Sequence, residues 1–289
     1  MLKAIKQART AFSLLNPDEV RRLAGRSISF GLVAMGGRDY ADMEDFLIPA
    51  ALSREARAEL TQLVYRAGDV DIPDHVDLVL YQDGIPGPKG TYTFCAADPQ
   101  RTVREIIDGN EDIAVSLARQ YPAFRKPVVE SLIHSVAREN AFFALATALP
   151  DVIPSLMELP WAFGEFASDT AFMTANQVRM AFLVAAACGR EAGFRKQKAE
   201  ILGIAAGAFG WRAIARELAG KIPFGGGLIP KAAIAYAVTY AIGKALERLY
   251  HAGKPYTRAE REEAYRQAFE RGQSVAQEIA ARPEAPDGV

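Results

Sequence analysis

Ala233, Ala237, Ala241 and Ala245 recur at every fourth position between Leu228 and Tyr250; upstream, Gly203 and Gly207 repeat that spacing, with Ala206 and Gly210 as a second step. Residues four apart lie above one another on a helix, so each run predicts a helix with one face of small side chains. An interior glycine costs a helix roughly 1 kcal/mol relative to alanine, a loss that close packing of helix backbones offsets. The segment Gly220-Lys-Ile-Pro-Phe-Gly-Gly-Gly227 continues neither helix. Residues 199–250 therefore predict a tight helical hairpin with packing positions Gly203, Gly207, Gly210, Ala233, Ala237 and Ala241.

A bilayer span needs about 20 predominantly apolar residues. The uncharged runs here are Ile201–Trp211 and Ala232–Gly243, bounded by Glu200, Arg212, Lys231 and Lys244. They are too short to span unaided, so a helical bundle in water or at a membrane surface ranks above a transmembrane hairpin.

The first part of the chain alternates helix and strand signals. Asn16-Pro-Asp-Glu places a cap before a proline and two acids, predicting a helix that stops at Gly25. Ser27–Met35 reads as a strand with Ile28, Phe30 and Leu32 on one side. Ser53–Ala67 reads as a helix, Val76–Tyr81 as a strand, Thr91–Phe94 as a short strand, and Pro99–Ile107 and Glu111–Tyr121 as helices. This alternation argues for an open α/β sheet with parallel strands.

From Arg125 onward no long strand is evident. Pro127–Leu149 reads as one long helix, prolines at 150, 154 and 160 mark a bent connection, and Thr174–Cys188 reads as an apolar helix. Thr257-Arg-Ala-Glu260 is a capping-box pattern opening a charged helix over Ala259–Ala281. The last residues read as disordered.

A strand ending in Gly36-Gly37 invites comparison with a phosphate loop. Such a loop needs backbone N–H groups aimed at phosphate, then a lysine and a hydroxyl residue at the helix start. Neither follows here, and Asp39, Asp42, Glu44 and Asp45 stand where a polyphosphate would approach. Asp83, just past the second strand, resembles a metal-side aspartate of nucleotide hydrolases, but Asp83-Gly84 is equally a turn signal. Gly36, Gly37 and Asp83 are thus weak cofactor-binding candidates, and the conformational reading is preferred. His75, His134 and His251 lack metal-ligand spacing, and no G-x-S-x-G elbow occurs. No catalytic residue, metal site or cofactor is expected.

Asp151, Glu158, Glu165, Asp169, Asn176 and Gln177 interrupt otherwise apolar sequence. They read as caps and buried hydrogen bonds to arginines such as Arg138, Arg179 or Arg212, ahead of a metal or proton site in a helical bundle. Lysine plus arginine number 34 against 35 acidic residues, which favours no nucleic-acid partner. Two cysteines, Cys95 and Cys188, without pairing spacing suit a reducing compartment, and no apolar signal core follows the N-terminal charges.

The run Phe172-Met-Thr-Ala-Asn-Gln-Val-Arg-Met180 with Ala185-Ala-Ala-Cys-Gly189, then Gly210-Trp-Arg-Ala-Ile-Ala215, Lys221–Gly227 and Ala235–Gly243, resembles the YcjF-type helical domain that follows Era-like bacterial GTPase domains. The likeness covers roughly residues 135 to 250. It implies a bacterial protein, a helical domain associated with membranes, and an upstream nucleotide-binding domain. This chain departs from that pattern: neither GxxxxGK[ST] nor NKxD occurs.

The expected fold is a two-domain α+β chain: a degenerate, P-loop-like α/β domain over 1–125, an all-α domain over 126–270 with the glycine/alanine-rich hairpin, and the end of a charged helix with a tail over 271–289. The expected function is a non-catalytic bacterial module that meets a protein partner or a membrane surface, in the cytoplasm or at the inner face of the cell membrane. The alternatives are a nucleotide-dependent switch with an atypical site and an integral membrane protein spanning through 199–250.

Overall fold

The computed structural model describes residues 15–147, 169–205 and 227–281. Among these, Arg21–Val129 with Ala186–Arg190 form one compact unit and the remainder form a second. The division falls at Val129/Glu130, where the sequence places it at 125/126. The last helix runs through 270 to Ala281.

The first unit carries β1 (Phe30–Val33), α2 (Gly37–Leu47), α3 (Arg54–Thr61), β2 (Val64–Arg66), β3 (Leu78–Gln82), β4 (Tyr92–Phe94), α4 (Pro99–Gly109) and α5 (Ala114–Gln120); the last turn of α1 (Pro17–Ala24) precedes them. The Asn16 side chain accepts from the Asp18 N–H at 3.0 Å, the expected start of α1. Every strand pair is parallel, in the order β2-β1-β3-β4. Side chains alternate across a sheet, and one face is fully closed: Phe30, Leu32 and Leu80 are 0% exposed. Tyr121 meets Phe30 edge-on at 4.9 Å, and Phe124 stacks on it at 6.2 Å. On the other face Gly31, Val33, Val79 and Tyr81 stay half-buried.

At the amino edge of the sheet, Asp77 accepts from the Ser29 N–H and hydroxyl at 2.9 Å each and from Arg26 at 2.8 Å, bracing the entries to β1 and β3. Burial pushes the Asp77 carboxyl up, but these hydrogen bonds outweigh it and hold the pKa below its usual value.

Two expectations need correction. The helix predicted over Ser53–Ala67 ends at Thr61, and Val64–Arg66 forms strand β2; three residues cannot display a period of two, and pairing with Phe30–Leu32 decides their state. The long helix predicted from Pro127 begins at Pro122. Pro122 supplies the N-terminal proline, and Pro127 lies within the helix, where its missing N–H costs a single backbone bond.

The second unit contains α6 (Pro122–Ala146) from Glu130, most of α7 (Asp169–Ala187), α8 (Lys198–Ala205), α9 (Leu228–Ala252) and α10 (Arg258–Ala281). Its core joins Ala137, Ala141, Phe142 and Leu145 of α6 to Ala232 and Tyr236 of α9 and Val275, Ala276 and Ile279 of α10. The capping box is reciprocal: the Thr257 N–H donates to Glu260 at 2.8 Å and the Glu260 N–H donates to the Thr257 hydroxyl at 3.3 Å.

Ala233, Ala237 and Ala241 are 0% exposed. The helix drawn against Ala233 is α10: a Cβ placed on Gly272 would stand 2.8 Å from the Ala233 carbonyl oxygen. On the same helix α9, a Cβ on Gly243 would meet Ile133 of α6 at 2.6 Å. Gly203 is half-buried on α8, whereas Gly207 and Gly210 lie outside the described residues. Among the described residues, no helix is long and apolar enough to cross a membrane.

Candidate functional sites

In an open parallel sheet the ligand crevice lies beyond the carboxyl ends of the strands, where the strand order reverses. With the order β2-β1-β3-β4 that point lies between β1 and β3. Gly36 and Gly37 follow β1 and Asp83 follows β3, so the sheet brings all three weak candidates to one edge. Their chemistry there is conformational. The Met35 N–H, which a phosphate loop would aim at a ligand, donates to Gln82 Oε1 at 2.9 Å. The Asp39 carboxylate stands 3.3 Å from where a Cβ of Gly36 would be, at the positive end of α2 that an anion would seek. The Asp83 N–H donates to the Phe94 carbonyl at 3.1 Å, and Gly84 takes φ +88° in the turn closed from Ile85 N–H to the Gln82 carbonyl at 3.0 Å.

The connections that follow β1 and β2 expose apolar side chains. Met35 is 84% exposed, Val70 99% and Ile72 39%. Val70 and Ile72 belong to the connection after β2, in the run Asp69-Val70-Asp71-Ile72-Pro73-Asp74. Its base is fixed: Asp69 accepts from the Arg66 N–H at 2.8 Å, and Gly68 turns the chain at φ +94°. Arg66 in turn grips Glu44 of α2 with two hydrogen bonds at 2.6 and 2.7 Å. The bond and charge from Glu44 raise the Arg66 pKa above its ordinary value. The result is a loop with its root anchored and its apolar tip in solvent.

The second site is a polar centre inside the helical unit. Asn176 and Gln177 of α7, both expected from the sequence, are 1% and 7% exposed. Asn176 Nδ2 donates to Glu139 and to Asn140 Oδ1 of α6, each at 3.1 Å. Asn140 Nδ2 and Gln177 Nε2 both donate to the Thr239 hydroxyl of α9, at 2.8 and 3.2 Å. Arg179 lies 3.6 Å from the Glu139 carboxylate. Three helices are thus tied in one register by groups that cost free energy if left unpaired. Asn176 and Gln177 are thus hydrogen-bonded to side chains of α6 and α9 rather than to an arginine, and Arg179 stands beside Glu139. Glu158 and Glu165 lie outside the described residues, as does the Asp169 side chain. Glu139, Asn140 and Thr239 were not singled out from the sequence; the available signal was the polar pair Glu139-Asn140 directly before the apolar run Ala141–Ala146.

A third cluster clamps α10 to α6 and α9. Glu130 accepts from Tyr240, from Lys244 at 3.0 Å and from Arg271 at 3.2 Å, and Arg271 also donates to the Tyr240 hydroxyl at 2.7 Å. Burial, joined by the carboxylate, pushes the Tyr240 phenol up to about 12, so it remains a hydroxyl at neutral pH. His134 of α6 is bonded to the Tyr236 hydroxyl at 2.7 Å. Among the described residues no group of three acidic, histidine or cysteine side chains could hold a metal ion. No family model, no curated protein and no solved structure matches this chain.

Proposed function

We propose that the chain is a non-catalytic interaction module whose α/β unit presents the carboxyl rim of its sheet to a protein. The observation that carries this reading is the exposure of Met35 (84%) and Val70 (99%), in the connections that leave the carboxyl ends of the neighbouring parallel strands β1 and β2. Leaving a large apolar side chain in water forgoes about 1.5–3 kcal/mol of burial free energy, which a partner that covers it recovers. Asp69, Asp71 and Asp74 surround Val70 and Ile72; those carboxylates disfavour an anionic membrane surface at this rim and favour a protein with basic groups. The YcjF-type likeness of the helical part supports a bacterial setting, in the cytoplasm or at the inner face of the membrane, with the α/β unit as a degenerate relative of the nucleotide-binding domain.

A photo-crosslinking residue placed at position 70, and separately at 35, in the full chain tests the reading in cells. Discrete protein adducts at both positions are expected, and their absence at both overturns it. A nucleotide-dependent switch would need the N–H that Gln82 already holds at Met35; a rise in melting temperature with GTP or ATP and magnesium would favour that alternative instead.

A further inference from the structure

Helix α3 carries the complement of the rim loop. Its residues Arg54, Arg57, Ala58 and Thr61, with Leu52 before it, line a surface hollow of about 340 Å³. The helical positions are spaced three and four apart and share one face, while Glu55 and Glu59 fall on another stripe. Arg54 and Arg57 are exposed and form no ion pair among the described residues. The hollow therefore offers Leu52 and Ala58 as apolar wall and two guanidinium groups as rim. The loop after β2 offers the inverse: apolar Val70 and Ile72 between Asp69, Asp71 and Asp74, with Val70 wholly in solvent.

We infer that the partner of this rim is a second copy of the chain: Val70 and Ile72 of one copy enter the α3 hollow of the next, with the aspartates facing Arg54 and Arg57. This deepens the interaction reading above and rests on it. Loop and hollow are different surfaces, so the contact is head-to-tail, and a joined pair keeps one free loop on one copy and one free hollow on the other. A single loop in a hollow is a small interface, placing the association among weak, reversible ones, and its charged rim makes it salt-sensitive.

Analytical ultracentrifugation of the full chain, over a series reaching high-micromolar concentration, tests this with two exposed-site variants, Val70→Glu and Arg57→Glu. The native chain is expected to gain mass continuously with concentration and to lose that gain in high salt. Each variant alone is expected to stay monomeric with an unchanged melting temperature. Mixed together, they are expected to form dimers and nothing larger, because one intact loop and one intact hollow remain. A native chain that stays monomeric throughout, or association that neither variant alters, overturns the inference; so does a mixture with no dimer. A monomeric native chain that still gives adducts with another protein from position 70 sinks self-docking and leaves the interaction reading standing. Loss of both signals removes both.

Discussion

Gly272 on α10 lies so close to Ala233 on α9 that a side-chain carbon added to it would stand 2.8 Å from the Ala233 carbonyl oxygen. Backbone cannot yield there as a flexible side chain can. Gly272→Ala is expected to destabilise the protein by about 1–3 kcal/mol, although helix propensity alone would favour alanine by about 1 kcal/mol. Gly243→Ala meets Cγ2 and Cγ1 of the fully buried Ile133 at 2.6 and 2.7 Å; a β-branched side chain is stiff at χ1, so a loss of similar size is expected. Gly37→Ala at the start of α2 meets nothing within 4 Å and is expected to stay within about 0.5 kcal/mol of the parent. Urea midpoints should set Gly37→Ala apart from the other two; equal midpoints for Gly272→Ala and Gly37→Ala would contradict the close approach.

Thr239→Val keeps the shape of a fully buried side chain and deletes the oxygen on which Asn140 and Gln177 both converge. Two buried amide donors then lack their acceptor, and a loss of about 1–3 kcal/mol in denaturant unfolding is expected. Thr239→Ser, which restores the oxygen, should recover most of it.

His134 carries a pH signature. Burial, joined by the positive charges of Arg271 and Arg138, lowers its pKa below 6.5, while Glu130 and Glu278 oppose that shift more weakly. The unfolded chain then binds the proton more tightly than the folded one. No penalty exists well above pH 6.5; it grows as pH falls below that value and is complete below the folded pKa. An NMR titration of the imidazole should give a midpoint under 6.5, and His134→Phe should flatten this part of the stability curve.

Asp77 sets a second, more acidic limb. Its depressed pKa means that its stabilisation is fully present above its unfolded value of 3.8 and is lost as pH falls through the folded one. Asp77→Asn should lower stability at neutral pH and reduce the slope of the acid limb below about pH 4, measured by thermal melts across that range. An unchanged slope would show that Ser29 and Arg26 do not hold the carboxylate.

Local signals were legible where a residue acts on its own helix or strand. Asn16-Pro17, the Thr257/Glu260 box and the Ile28, Phe30, Leu32 alternation need only neighbouring backbone, so their outcomes follow from chain order. The three-residue strand β2 carries no period and was lost to the adjoining helix. Asn176 and Gln177 stood out as polar residues in an apolar run, yet their partners Glu139, Asn140 and Thr239 lie 36 to 62 positions away, separations no periodicity encodes.

By itself the sequence determined the succession of an α/β part and a helical part, the small-residue face of α9 and the absence of a phosphate-loop lysine after Gly36-Gly37. Those depend on composition and spacing within one element. Only the tertiary structure decided that α10, through Gly272, is the helix closing on Ala233, that Gln82 occupies the Met35 N–H, and that Val70, past the carboxyl end of β2, stands in water. Each of these depends on which distant segments meet, and that is fixed by the burial of whole faces rather than by the residues at the meeting point.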